Sequence, residues 1–191
     1  MALDAVDAGA DLVGVVLIPS SPRCVSLSIA HAIREALRGS AESVALATAR
    51  CDDAVLQAAG TFDTVQLHGD EAPEELGAVR ARFHFSRVMK GFSATAASAA
   101  RWDACNLTRL VLDAAQGGSG SAFDHAALAP ARAKLRTPIL LAGGLHAGNV
   151  AAAIKLLRPD GVDVSSGVES SKGVKDPALV RQFIRAVRGI P

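Results

Sequence analysis

The chain alternates short, continuous apolar runs with stretches in which apolar residues recur at helical spacing. Seven runs read as strands, at residues 12–18, 43–48, 64–68, 86–91, 110–114, 138–142 and 162–166. Most lack strict apolar–polar alternation, as expected where helices cover one face of a sheet and packed side chains fill the other. Between them, residues 28–37, 71–82, 149–157 and 177–187 carry the periodicity of amphipathic helices. Ser26, Asp70 and Asp176 stand where N-caps are needed, and Pro177 suits the first position of the last helix. Repeated βα units of this kind predict a parallel sheet in an α/β fold.

Seven strands alternating with helices predict a TIM (β/α)8-type barrel short of one member, since a complete barrel needs about 200 residues or more. The deficit is expected at the N-terminus. Leu3, Val6 and the segment 8–11 read as the end of a helix and its glycine stop, with no strand ahead of them. Residues 1–191 are expected to form a single barrel domain, because no linker, low-complexity segment or charge block divides them. An open dinucleotide-binding sheet is disfavoured, as no strand is followed by GxGxxG. A barrel without one strand exposes two edges, and a homodimer is expected to cover that opening.

Composition narrows the function. Half of the residues are hydrophobic, enough for one sizeable core, and 20 Lys plus Arg against 19 Asp plus Glu give no broad footprint for nucleic acid or anionic lipid. Any bound anion must therefore be held locally. The apolar runs are short and no basic-then-apolar leader opens the sequence, so a soluble, cytoplasmic protein with no membrane partner is expected. Cys24, Cys51 and Cys105 lack CxxC spacing and histidine partners; they read as unpaired, small buried hydrophobes, with no metal site.

In a parallel βα barrel, ligands sit at the carboxyl ends of the strands. That rule selects Pro19–Arg23, Gln66–Glu71, Leu112–Ala114, Gly117–Gly120, Ala142–Leu145 and Ser165–Glu169. Glycine-rich turns at the last three of these strand ends bring backbone N–H groups near one oxyanion and predict a phosphate cradle. Each glycine pair alone has an even-handed structural explanation, since glycine also makes tight turns; their succession favours the cradle. Gln66 and His68 share an inward strand end and are expected to line the pocket.

The ordered motifs SSPR, QLHGDE, LVLDA, GGSG, LAGGL, DVSSGVE and GVKD resemble those of the phosphoribosylanthranilate isomerase family along nearly the whole chain. The resemblance implies a small phosphorylated substrate, N-(5-phosphoribosyl)anthranilate, and its Amadori rearrangement to 1-(2-carboxyphenylamino)-1-deoxyribulose 5-phosphate. It implies that Asp113 is the general acid and that Arg23 meets the anthranilate carboxylate. It further implies that Gly118, Ser119, Gly120, Gly143, Gly144, Ser166 and Gly167 surround the 5-phosphate. No cofactor is implied, because proton transfers alone convert an aldose to a ketose.

The sequence departs from the family in one decisive respect: the KxCG motif, whose cysteine is the family's general base, is absent. Cys24 follows Arg23 but stands where the family carries non-catalytic residues, so it is not read as a replacement. His125, Ser119 and the segment 45–48 also differ from family habit. The chain by itself is therefore expected to be a weak or inactive isomerase, and the competing reading is a catalytically silent phosphate-binding or interaction protein. A third, indole-glycerol-phosphate synthase, would need catalytic lysines at strand ends, for which Lys90 alone is a poor substitute. Asp163 and Glu169 read as loop-ordering residues.

Overall fold

Among the described residues, seven strands lie side by side in chain order, each parallel to the next. A computed structural model describes residues 1–93, 95–113 and 132–190. The first helix, α1 (Ala2–Ala8), is closed by Gly9 and leads into β1 (Leu12–Val16), α2 (Leu27–Leu37) and β2 (Glu42–Ala47). Next come α3 (Asp53–Ala59), β3 (Thr64–Leu67), a 3₁₀ turn (Pro73–Glu75), α4 (Leu76–Phe83) and β4 (Val88–Ser93). The described chain continues with α5 (Ala96–Asp103), β5 (Arg109–Asp113), β6 (Ile139–Ala142), α6 (Val150–Leu157) and β7 (Gly161–Val162). A second 3₁₀ turn (Ser166–Val168), a hairpin of β8 (Glu169–Ser171) and β9 (Val174–Lys175), and α7 (Pro177–Arg188) complete it.

Strand register sorts the side chains into two faces. Val15, Ala45, Val65, Leu67, Val88, Leu110, Leu112, Ile139 and Leu141 are buried in the larger apolar cluster beneath the helices. The opposite face carries Val44, Met89, Val111, Leu140 and Ala142 as a second cluster, with Leu12 and Leu46 at its side. Below this cluster, Glu42 accepts two hydrogen bonds from Arg109, at 3.0 and 3.1 Å, and one from Thr64 at 2.5 Å. Asp113 lies two residues beyond Val111, so alternation puts it on the same inner face at the opposite end.

One charged side chain sits among the outer, helix-covered set. Lys90 alternates with the inward Met89 and is 1 % exposed, with its ammonium 5.3 Å from the Trp102 ring. It donates to Glu71 at 2.5 Å and to the Gly69 carbonyl at 2.6 Å. Glu71 in turn accepts from the N–H groups of Ala49 (2.8 Å) and Gly69 (3.1 Å). Burial alone would raise the Glu71 pKa, but the Lys90 hydrogen bond and the Ala49 N–H outweigh it and hold the carboxyl below its usual value. The pair therefore ties the loops after β2 and β3 to β4, and clamps both polar groups of the residue that follows His68.

This clamp explains one departure from the sequence reading. Asp70 caps no helix: Glu71 is drawn inward, Ala72 is extended ahead of Pro73, and the helical path starts only at the 3₁₀ turn. Ser26 and Asp176 do cap α2 and α7 through their side chains, and Pro177 opens α7. The strand expected at 162–166 is reduced to Gly161–Val162, because residues 166–168 turn to meet the hairpin. The helices α3 and α5 lie between strands, as the alternation predicts, without bounds having been assigned to them, and the hairpin was not anticipated. Ala114, the expected end of β5, lies outside the described residues. Among the described residues the cysteines are unpaired, but Cys24 is exposed rather than buried.

Lys90→Met leaves the Glu71 carboxylate buried without its counter-charge, and should cost about 3–5 kcal/mol of stability. Urea unfolding measures it, and the double variant Lys90→Met/Glu71→Gln should recover most of the loss.

Candidate active site

The inner-face positions at the carboxyl ends of β3, β4 and β5 meet one another. Gln66 and His68 project on one side of β3's line, and the Gln66 amide Nε2 lies 3.3 Å from His68 Nδ1. The ring's other nitrogen, Nε2, faces Asp113. That atom is 4.0 Å from Asp113 Oδ2, and both side chains are partly exposed. Gly91 makes the arrangement possible: a β-carbon there would collide with His68 Nδ1 and lie 2.9 Å from Gln66 Nε2. Sequence reasoning placed Gly91 at a strand end without giving it this role; a glycine on the inward register of a buried strand was the available signal.

Asp113 pairs in register with Ala142, so β6 delivers Gly143 and Gly144 to the same level of the sheet. Both glycines have positive φ, 84° and 62°, which L side chains rarely adopt. Asn149 braces their turn, donating from Nδ2 to the Gly144 carbonyl at 3.0 Å and accepting the His146 N–H at 2.8 Å. Gly167 packs directly on this segment, where any β-carbon would overlap the Leu145 carbonyl oxygen. The turns after β6 and β7 are therefore in contact, and Ser166 opens the second of them. The expected phosphate residues Gly118, Ser119 and Gly120 lie outside the described residues.

Asp163 follows β7, its N–H donating to the Leu141 carbonyl at 2.8 Å. Its surface is open to solvent, yet barrel atoms surround it. On the far side, Arg23 grips Glu169 with two hydrogen bonds, Nε at 2.6 Å and Nη2 at 2.7 Å. Lys175 donates to the same carboxylate at 2.9 Å, and the Gly173 N–H donates to it at 3.2 Å. The Arg23 hydrogen bond, ahead of those from Lys175 and Gly173, holds the Glu169 carboxyl at a pKa of about 2 despite its burial.

A partly open carboxyl beside an imidazole, next to two touching glycine turns at parallel strand ends, fits acid–base work on a phosphorylated small molecule. Residues 1–186 match the family described as N-(5'-phosphoribosyl)anthranilate (PRA) isomerase. The chain belongs to that family. The phosphoribosylanthranilate isomerase of Rhodopseudomonas palustris is 41 % identical over 197 aligned positions, covering 96 % of this chain and 91 % of the relative. The crystal structure of the Thermotoga maritima enzyme superposes with a TM-score of 0.86 at 33 % identity, covering 99 % of this chain and 93 % of that one. A further phosphoribosylanthranilate isomerase structure, solved with reduced 1-(o-carboxyphenylamino)-1-deoxyribulose 5-phosphate, superposes at 0.82 with 32 % identity and covers 99 % and 93 % of the two chains.

As a phosphoribosylanthranilate isomerase family member, the chain is similar to isomerases of tryptophan biosynthesis, and its seven-stranded parallel sheet matches their barrel-like architecture. The indole-glycerol-phosphate synthase reading gains nothing from Lys90, which lies on the helix-covered face and is engaged by Glu71. No helix among the described residues is long and apolar enough to cross a membrane. No cluster of metal-binding side chains occurs among the described residues.

Glu169 gives a pH prediction. Its folded pKa lies below the ordinary 4.5, so its contribution to stability is present above that value and is lost as pH falls towards about 2. Thermal unfolding of the unaltered chain and of Glu169→Gln should differ most at pH 5 and above, by the definition of that window, and converge as acid is added.

Proposed function

We propose that this site carries the Amadori rearrangement of N-(5-phosphoribosyl)anthranilate, with Asp113 donating the proton that opens the sugar ring. The observation that supports this reading is the rung joining Asp113 to Ala142, the residue just before the Gly143–Gly144 turn, with Gly167 packed on the segment that follows that turn. A phosphate held by the N–H groups of those turns fixes one end of the substrate, and the acid then acts at a defined distance from it. His68, with Nε2 towards Asp113, lines the same pocket with Gln66. Arg23 receives the anthranilate carboxylate through the guanidinium N–H groups that Glu169 does not occupy. Gly118, Ser119 and Gly120 belong to the phosphate contacts in this reading.

Acid and base must both act. The base of the resembled family, the KxCG cysteine, is not among these 191 residues. Among the described residues β1 pairs only with β2 and β7 only with β6, so their outer edges are where a strand bearing such a base would pair. The same edges suit a second copy of the chain. A dimeric phosphoribosylanthranilate isomerase is named for Thermotoga maritima.

The test follows the loss of phosphoribosylanthranilate fluorescence. The 191-residue chain should turn over about 10²- to 10⁴-fold more slowly than the same chain preceded by a KxCG-bearing strand, and Asp113→Asn should abolish the restored activity by a similar factor. Binding of reduced 1-(o-carboxyphenylamino)-1-deoxyribulose 5-phosphate with no turnover after the strand is supplied would favour the silent binding protein instead. Full turnover by the 191-residue chain alone would refute the assignment of a missing base. Sedimentation should find a dimer; a stable folded monomer would remove that part of the proposal.

A further inference from the structure

Arg23, Glu169, Lys175 and Ser165 form a continuous polar chain that the acid–base chemistry leaves unused. Arg23 comes from the loop after β1, Ser165 immediately precedes the turn after β7, and Glu169 and Lys175 belong to the hairpin between β7 and α7. Lys175 Nζ bonds the Glu169 carboxylate at 2.9 Å, and the same nitrogen reaches the Ser165 carbonyl at 2.9 Å and its hydroxyl at 3.1 Å. The Glu169 side chain is 5 % exposed, so its oxygens are committed to the protein. Arg23 remains 27 % exposed. Its Nε and Nη2 serve Glu169, which leaves Nη1 and the second Nη2 hydrogen as further donors.

We propose that Glu169 and Lys175 are positioning residues that couple recognition of a carboxylate by Arg23 to recognition of a phosphate by the Ser166–Gly167 turn. The inference rests on the proposed substrate, which carries both anions at opposite ends. A ligand of that kind binds more tightly when both receptors are already held in register, because less ordering is left to be done on binding. Arg23 and the turn are far apart in sequence and on separate loops, and the hairpin is what joins them. Glu169 fixes the plane of the guanidinium, and Lys175 fastens Glu169 to Ser165, the residue just before the turn. Without Glu169 the arginine gains rotamer freedom and must be ordered by the ligand. Without Lys175 the two receptors move independently.

Isothermal titration calorimetry on the full chain tests this with two probes. Reduced 1-(o-carboxyphenylamino)-1-deoxyribulose 5-phosphate carries both anions; ribulose 5-phosphate carries the phosphate alone. Glu169→Gln should weaken the first about tenfold or more and the second less than about threefold, the loss expected for a charge-assisted contact acting at one end. Lys175→Met, a change at a partly exposed side chain that leaves the apolar core untouched, should weaken both probes about threefold or more, because Lys175 touches Ser165 as well as Glu169. In the double variant the costs should fall short of additive. Equal losses on both probes for Glu169→Gln, or no loss for either variant, would overturn the coupling even though the unaltered chain binds. If the unaltered chain does not bind the two-anion probe at all, the functional reading itself fails and the coupling falls with it.

Discussion

Parallel pairing from β1 to β7 is the constraint on which the site depends, because it brings every strand's carboxyl end to the same side of the sheet. Register then does the finer placement. Asp113 stands opposite Ala142, and Leu141 pairs with Val162, so an acidic group, a glycine pair and the next turn arrive at one level. The inner face changes character along its length, from the Glu42–Arg109 pair at one end, through an apolar layer, to Gln66, His68 and Asp113 at the other. Polar groups at both ends and an apolar middle allow titratable side chains to sit at the strand ends without breaking the core.

Two ionic devices hold the loops, and they work from different sides. The Lys90–Glu71 pair lies under the helices and fixes the backbone on either side of Gly69, hence the direction in which His68 leaves β3. The Arg23–Glu169–Lys175 set lies at the rim and binds the loop after β1 to the hairpin before α7. A buried pair of the first kind costs desolvation and is held by several hydrogen bonds, which makes it a device for fixing geometry more than a source of net stability. The rim set is more open and is suited to sharing its guanidinium with a ligand.

Much of this was legible in the residues. Continuous β-branched runs marked the strands, the caps Ser26 and Asp176 marked two helices, and the strand-end rule marked Asp113, Gln66, His68 and the glycine turns as site candidates. What escaped detection depended on contacts between distant residues. Glu71 looks like an ordinary helix-start acid until Lys90, nineteen positions away, draws it inside. Gly91 looks like a strand end until the His68 ring occupies the space its side chain would need. The hairpin residues 169–175 have too few apolar positions to announce strands, and their pairing is organised by Glu169 and Lys175 rather than by hydrophobic pattern. Asn149 reads as the first residue of a helical stretch, whereas its side chain braces the glycine turn.

The proposal that one anion is shared by the turns after β6 and β7, with the carboxyl of β5 at its side, is tested most directly by a crystal structure with reduced 1-(o-carboxyphenylamino)-1-deoxyribulose 5-phosphate. The account predicts the phosphate within hydrogen-bond reach of backbone N–H groups in both the Gly143–Gly144 and Ser166–Gly167 turns, and the Asp113 carboxyl against the sugar. A phosphate held by other residues, or an Asp113 side chain turned away from the bound sugar, would contradict it.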